Sequence, residues 1–251
     1  MGLGALFAQS YRDAFTLVRG MWTKVLMIFA LAFIAAVLGA LVSIPVKTPF
    51  GNALLDAVVT VGASWLIAPA FVALYRFIRT GNGSLPPWQS DSVRWFFAWS
   101  SIVNLVIAIP TLIDALFEQI RPGTGIADPR PDMPRTWLIL IVLVGIWIFV
   151  TRIVTLLPAV ALGRRMTLAK AFAESRGHFW FITGALLLPM LPVIFGAFIL
   201  AGIVLGVTGT AGVPLLYAVL IPAALFITLL SIAVTSLLSQ KFAIAEPTDE
   251  P

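Results

Sequence analysis

The sequence predicts an all-α polytopic membrane protein with six transmembrane helices and amphipathic elbow helices at the interface. Three observations predict it. The 251 residues are 60% hydrophobic and only 11% charged, with a mean hydropathy of +1.03. A soluble domain is nearer half apolar and a quarter charged, so the solvent for this surface is lipid. The few charges divide the chain into uncharged runs of span length. Lys and Arg then fall unevenly between the two sets of loops those spans define.

The elements follow in order. The first apolar run begins at Val25, after Arg12, Asp13, Arg19 and Lys24, and continues uncharged to Val46. That is longer than the ~7–15 residues of a cleavable signal's apolar region, so it reads as a span. Residues 57–75 and 95–113 are the second and third uncharged runs. The fourth, 136–151, is short, and extends to Gly163 if Arg152 is tolerated within it. From Gly177 to Gln240 there is no Asp, Glu, Lys or Arg, and "VTGTAGVP" (207–214) divides that tract into a fifth and a sixth span. Each run is compatible with the ~20 residues needed to cross ~30 Å of hydrocarbon. Residues 1–242 thus read as one six-span domain, and 243–251 as a polar C-terminal tail.

With both termini inside, Arg12, Arg19, Lys24, Arg76, Arg79, Arg94, Arg152, Arg164, Arg165, Lys170, Arg176 and Lys241 lie on the inner side. Only Lys47, Arg121, Arg130 and Arg135 lie outside, a ratio of twelve to four. The net charge of +5 has this topological explanation and needs no nucleic acid as partner. The mixed-charge, proline-rich segment 118–135 reads as an irregular outer loop.

Three inner segments look alike: "FAQSYRDAFTLVRGMW" (7–22), "PPWQSDSVRWFFAW" (86–99) and "MTLAKAFAESRGHFW" (166–180). Each carries an Arg and then a Trp before an apolar run: Arg19 and Trp22, Arg94 and Trp95, Arg176 and Trp180. In the first, Phe7, Tyr11, Phe15, Val18 and Trp22 share a helical face. Such a helix lies in the interface, with Trp at headgroup depth and Arg reaching lipid phosphate. The three arginines are 75 and then 82 residues apart, the length of one elbow plus one hairpin of spans. Repeats over about 5–79, 86–165 and 166–242 are therefore expected. "PAFVALYR" (69–76) and "PAVALGRR" (158–165) correspond at the ends of spans two and four, with Pro69 and Pro158 placed to kink their helices.

The run "LLPAVALGRRMTLAKAFAESRGHFW" resembles bacterial YciC-like inner-membrane proteins and the membrane domain attached to some glycerophosphodiester phosphodiesterases. The matching positions are Arg152, Pro158, Ala159, Leu168, Ala171, Arg176, Gly177, Phe179 and Trp180; His178 stands where that pattern has Asn. The acidic residue often found after Pro-Ala is missing, and Gly163 and Arg164 come instead. The resemblance covers about thirty residues and implies a multi-span module of the bacterial inner membrane. No phosphodiesterase domain accompanies it, so that activity is not implied.

Arg152 is the sharpest anomaly. An arginine at mid-bilayer costs at least ~2.5–3.5 kcal/mol on insertion scales. Two readings stand side by side: it snorkels or bonds carbonyls freed by Pro158 or Pro69, or it forms an anion or headgroup site within the bundle. Arg19, Arg94 and Arg176 are interfacial anchors or a basic ring for anionic lipid phosphate. Trp22, Trp95 and Trp180 are anchors, and His178 is an anchor more readily than a proton carrier. Asp56 and Asp114 mark helix ends, and Asn104, Thr155, Ser231, Thr235 and Ser236 make interhelical hydrogen bonds. Ala35, Gly39 and Ser43, and Gly202 with Gly206, are small-residue stripes for close approach. Pro189 and Pro192 kink span five. The absence of cysteine and the single histidine exclude Cys-ligated and multi-His metal sites. "GASW" (62–65) resembles a membrane serine-protease motif but lacks the glycine that follows it. No cofactor is expected. The expected function is non-enzymatic, through lipid or protein contacts as scaffold, accessory subunit or envelope-homeostasis factor. The alternative is a small transporter or lipid-handling permease with a cavity near Arg152. Partners are anionic membrane lipids and a membrane protein or a second copy.

Overall fold

The computed structural model describes residues 2–43, 46, 48–120, 133–208 and 213–242. Among them the chain is helical, without strands: α1 (Leu3–Ser43), α2 (Pro49–Thr80), α3 (Asp91–Ile120), α4 (Met133–Arg152), α5 (Leu156–Ala161), α6 (Leu168–Glu174), α7 (Phe179–Leu187), α8 (Leu191–Thr208) and α9 (Val213–Phe242). Six helical segments are long and apolar enough to cross a membrane, α7 and α8 together forming one of them. Lys47, Arg121, Arg130, residues 209–212 of the expected turn, most of the expected outer loop and the tail 243–251 lie outside the described residues, as do the side chains of Gly39 and Ser43.

Helix α2 is the centre. Thr48 caps its start by accepting from the Gly51 amide at 3.2 Å, and Gly81, at φ 71°, ends it with its amide on the Phe77 carbonyl. From Ala68 to Tyr75 it is buried on nearly every side, against α1, α3, α5 and α9. Lipid tails are as apolar as leucine, so packing rather than water exclusion must hold such helices together. Ala68, Ala70 and Ala73 allow that close approach. The second half of α9, from Leu229 to Ser239, is buried in the same half of the bundle.

The backbone of α1 departs from helical geometry at Met21 (φ −129°, ψ 20°). Before the break, α1 packs across α7 and α9; after it, α1 runs along α2. Its buried stripe is Leu6, Ser10, Ala14, Leu17, Met21, Val25 and Ile28. The expected stripe lies beside it, with Phe15 and Trp22 more than half exposed. Small and flexible residues face protein, while the aromatics face outward or touch Phe226 of α9 at 5.3–6.0 Å between ring centroids. At the break, a Cβ on Gly20 would come within 2.4 Å of the Phe77 ring, so glycine permits this approach.

The other two segments of the expected repeat take different forms. Residues 82–90, containing Pro86 and Pro87, are non-helical, and α3 starts only at Asp91. The third segment is a separate seven-residue helix, α6, capped by Thr167, which accepts from the Lys170 amide at 3.3 Å. Its end requires Gly177 at φ 79°, a left-handed conformation that side chains resist.

Two breaks follow proline. The ring of Pro158 clashes with a carbonyl four residues back, at Val154, and α4 stops at Arg152 just before it. The fourth span is thus 19 residues, Pro134–Arg152, and does not continue to Gly163. Pro189 lies in the turn at 188–190 that separates α7 from α8, and Pro192 in the first turn of α8. Pro69, by contrast, sits inside an unbroken α2, and Pro110 and Pro222 inside unbroken α3 and α9.

Candidate functional site

Arg76, Arg79, Arg152, Arg164, Arg176 and Lys241 all lie at or near helix ends joined by one contact network, here termed the basic end. At the opposite end Arg135 of α4 donates to Asp114 of α3, with Nε at 2.8 Å. Asp114 therefore clips α3 to α4, beyond marking a helix end. Asp56 is exposed.

At the basic end, polar side chains go to carbonyls at or just beyond helix ends. The last carbonyls of a helix have no partner within it, and lipid offers none. Arg152, the last residue of α4, donates from Nη1 to the carbonyl of Ser175 at 3.2 Å. Ser175 is the fully buried C-cap of α6. A cation at a helix C-terminus also meets the negative end of the dipole. Arg152 is thus at a helix terminus and bonded within the protein. The carbonyl it serves belongs to the elbow helix, and neither Pro158 nor Pro69 supplies it.

Arg76 does the same for α5. Its Nε donates to the carbonyl of Ala161, the last residue of that helix, at 3.0 Å, and its Nη2 donates to Ser92 Oγ at 2.8 Å. One guanidinium so joins α2, α5 and the first turn of α3. Tyr11 completes the set: its hydroxyl donates at 2.8 Å to the carbonyl of Pro189, just beyond the end of α7. By sequence Arg76 is a topological charge; its place as the last residue of "PAFVALYR", one turn before the end of α2 at Thr80, is the available local signal.

Arg19, Arg94 and Arg176 are exposed, and among the described residues their guanidinium groups make no hydrogen bond or ion pair. No direct contact joins the three. Trp22, Trp95 and Trp180 are exposed by 56%, 59% and 81%. His178 precedes the first residue of α7 and stacks on Phe242 of α9, ring centroids 4.7 Å apart, while Lys241 sits 3.5 Å above Phe181. These aromatic contacts lock the last turn of α9 to the first of α7.

Within the bundle, Asn104 of α3 donates to Ser64 of α2 at 2.7 Å, and Tyr75 of α2 shares a 3.0 Å hydrogen bond with Thr235 of α9. These are the interhelical bonds expected of Asn104 and Thr235. The Ser64 hydroxyl itself donates to the Thr60 carbonyl at 2.8 Å. The hydroxyls of Thr155 and Ser236 are buried without a partner, and the Ser231 carbonyl receives Thr235 within its own helix. Ala35 is buried, whereas Gly202 and Gly206 of α8 face open space. A cleft of about 510 Å³ lies between α2, α3 and α9, with Ser64, Asn104, Ser100 and Ser231 among apolar walls. Arg152 does not line it.

No family model, curated protein or solved structure matches the chain.

Proposed function

We propose that this is a multi-pass protein of a bacterial inner membrane, with both termini cytoplasmic, that acts without catalysis through contacts with lipid or with another membrane protein. On this reading it is a scaffold, accessory subunit or envelope-homeostasis factor of the YciC-like kind. The six span-length helices support the membrane setting, and the twelve-to-four distribution of Lys and Arg supports the orientation. One observation carries the functional reading. The arginines inside the basic end, Arg76 and Arg152, are consumed by helix-end carbonyls, whereas Arg19, Arg94 and Arg176 point outward beside exposed tryptophans. What the protein offers to a partner is therefore its outer surface at headgroup depth.

A second reading, a lipid-handling permease, has the 510 Å³ cleft in its favour. It would use the hydroxyl and amide groups of α2, α3 and α9 and not Arg152. Reconstitution into sealed vesicles carrying a fluorescent phospholipid separates the two. The leading reading predicts that lipid crosses between leaflets at the protein-free rate. Exchange that rises with the protein-to-lipid ratio would replace it with the permease.

A further inference from the structure

A groove of about 630 Å³ opens at the basic end between the first turns of α3 and the segment joining α5 to α6. One wall is Trp95 and Trp99, one helical turn apart on α3 and running away from the basic end. The other carries Arg164 and Arg165, with Met166 buried behind them.

The arginines are held there by a helix end of defined geometry. At the close of α5 the Arg164 amide bonds the Ala159 carbonyl at 3.0 Å and the Gly163 amide bonds Val160 at 2.9 Å. This is a Schellman closure, and it needs Gly163 in the left-handed region, at φ 83°. Both arginine side chains are exposed, and among the described residues neither guanidinium has a hydrogen bond or ion pair. Asp91 lines the groove too, in the first turn of α3, without pairing with either arginine. Two guanidinium groups against one carboxylate leave a positive site. Ser92, the other polar side chain of that turn that lines the groove, is already held by Arg76.

We infer that this groove binds an anionic phospholipid, its phosphate on Arg164 and Arg165 and its glycerol and first acyl carbons along Trp95 and Trp99. Guanidinium pairs match phosphate oxygens in geometry as well as charge. A water-soluble phosphate would use the arginines but leave the indole wall idle, and that wall is what commits the site to lipid. The inference deepens the proposed function and rests on it: it names the lipid class and moves the recognition from the outward arginines to a shaped site.

The test is binding of short-chain phosphatidylglycerol to the detergent-solubilised full chain, followed by native mass spectrometry. Short-chain phosphatidylcholine and glycerol 3-phosphate are the comparison ligands. Removing a surface arginine weakens anionic-lipid attraction about five-fold, so R164Q/R165Q is expected to lose about 25-fold for phosphatidylglycerol. R164K/R165K, which keeps the charge, is expected to retain most of the affinity, excluding misfolding as the cause. R12Q, at an exposed arginine outside the groove, is expected to bind as the wild type does. Equal affinity in the wild type and R164Q/R165Q overturns the groove. Loss confined to R19Q/R94Q/R176Q also overturns it, while leaving lipid contact as the function. Glycerol 3-phosphate binding as tightly as the lipid overturns the assignment to lipid. Equal affinity for both lipids overturns this inference together with the anionic-lipid part of the proposed function.

Discussion

Arg152 and Ser175 are 23 residues apart, and the guanidinium of the first donates to the main-chain carbonyl of the second at 3.2 Å. The bond joins the end of a span to the end of a short elbow helix. It explains why an apolar segment carries an arginine: α6 has seven residues, too few to be stable alone, and its terminal carbonyl lies buried. The same carbonyl also receives the His178 amide at 3.2 Å, so the turn into α7 is fixed at one atom.

Replacing Arg152 by leucine removes one charge-assisted hydrogen bond. The expected loss is about 2 kcal/mol of stability, read by denaturant titration in mixed micelles. Arg152→Lys is expected to recover part of it, since an ammonium also suits a helix C-terminus but lacks the guanidinium's reach and fork.

Arg76→Leu is expected to cost more, about 3 kcal/mol, because two bonds go and both α5 and α3 lose an anchor. A cycle with Ser92→Ala measures the part due to that hydroxyl. The expected coupling is about 1 kcal/mol, and additive losses would show that the 2.8 Å bond contributes nothing.

Gly163→Ala tests the closure of α5 by strain alone. An added Cβ meets no atom within 4 Å, but φ stays at 83°. A loss of about 1–2 kcal/mol is expected. Gly163→Asn should lose less, since asparagine tolerates the left-handed region. Equal stability of Gly163→Ala and wild type would mean that the chain leaves α5 by another route.

Tyr11→Phe removes only the hydroxyl that serves Pro189, and is expected to cost about 1 kcal/mol in the same titration. The ring contacts with Phe7 and Phe226 remain, so a larger loss would point to repacking of α1.

Much of this architecture can be read from local signals. Gaps between charges locate the spans because charge is costly in lipid wherever it falls. Pro158, Pro189 and Pro192 announce breaks by their own chemistry. Pro69 does not, nor do Pro110 and Pro222: all three sit inside unbroken helices. The face of α1 is harder: periodicity finds the aromatic stripe, but in lipid the small residues beside it, Ser10 and Ala14, take the protein contact. The partners of Arg76 and Arg152 are out of reach of any local signal. They lie 85 and 23 residues away, on helix ends whose positions depend on the whole bundle.

Hydrogen–deuterium exchange of α6 in wild type and Arg152→Leu tests the central claim, that arginines of the spans serve the ends of neighbouring helices, most directly. The amides from Lys170 to Ser175 should exchange faster in the variant by the factor its stability loss implies, roughly 30-fold for 2 kcal/mol, with α2 and α3 unchanged. Unchanged protection of α6, in a variant that folds normally, would contradict it.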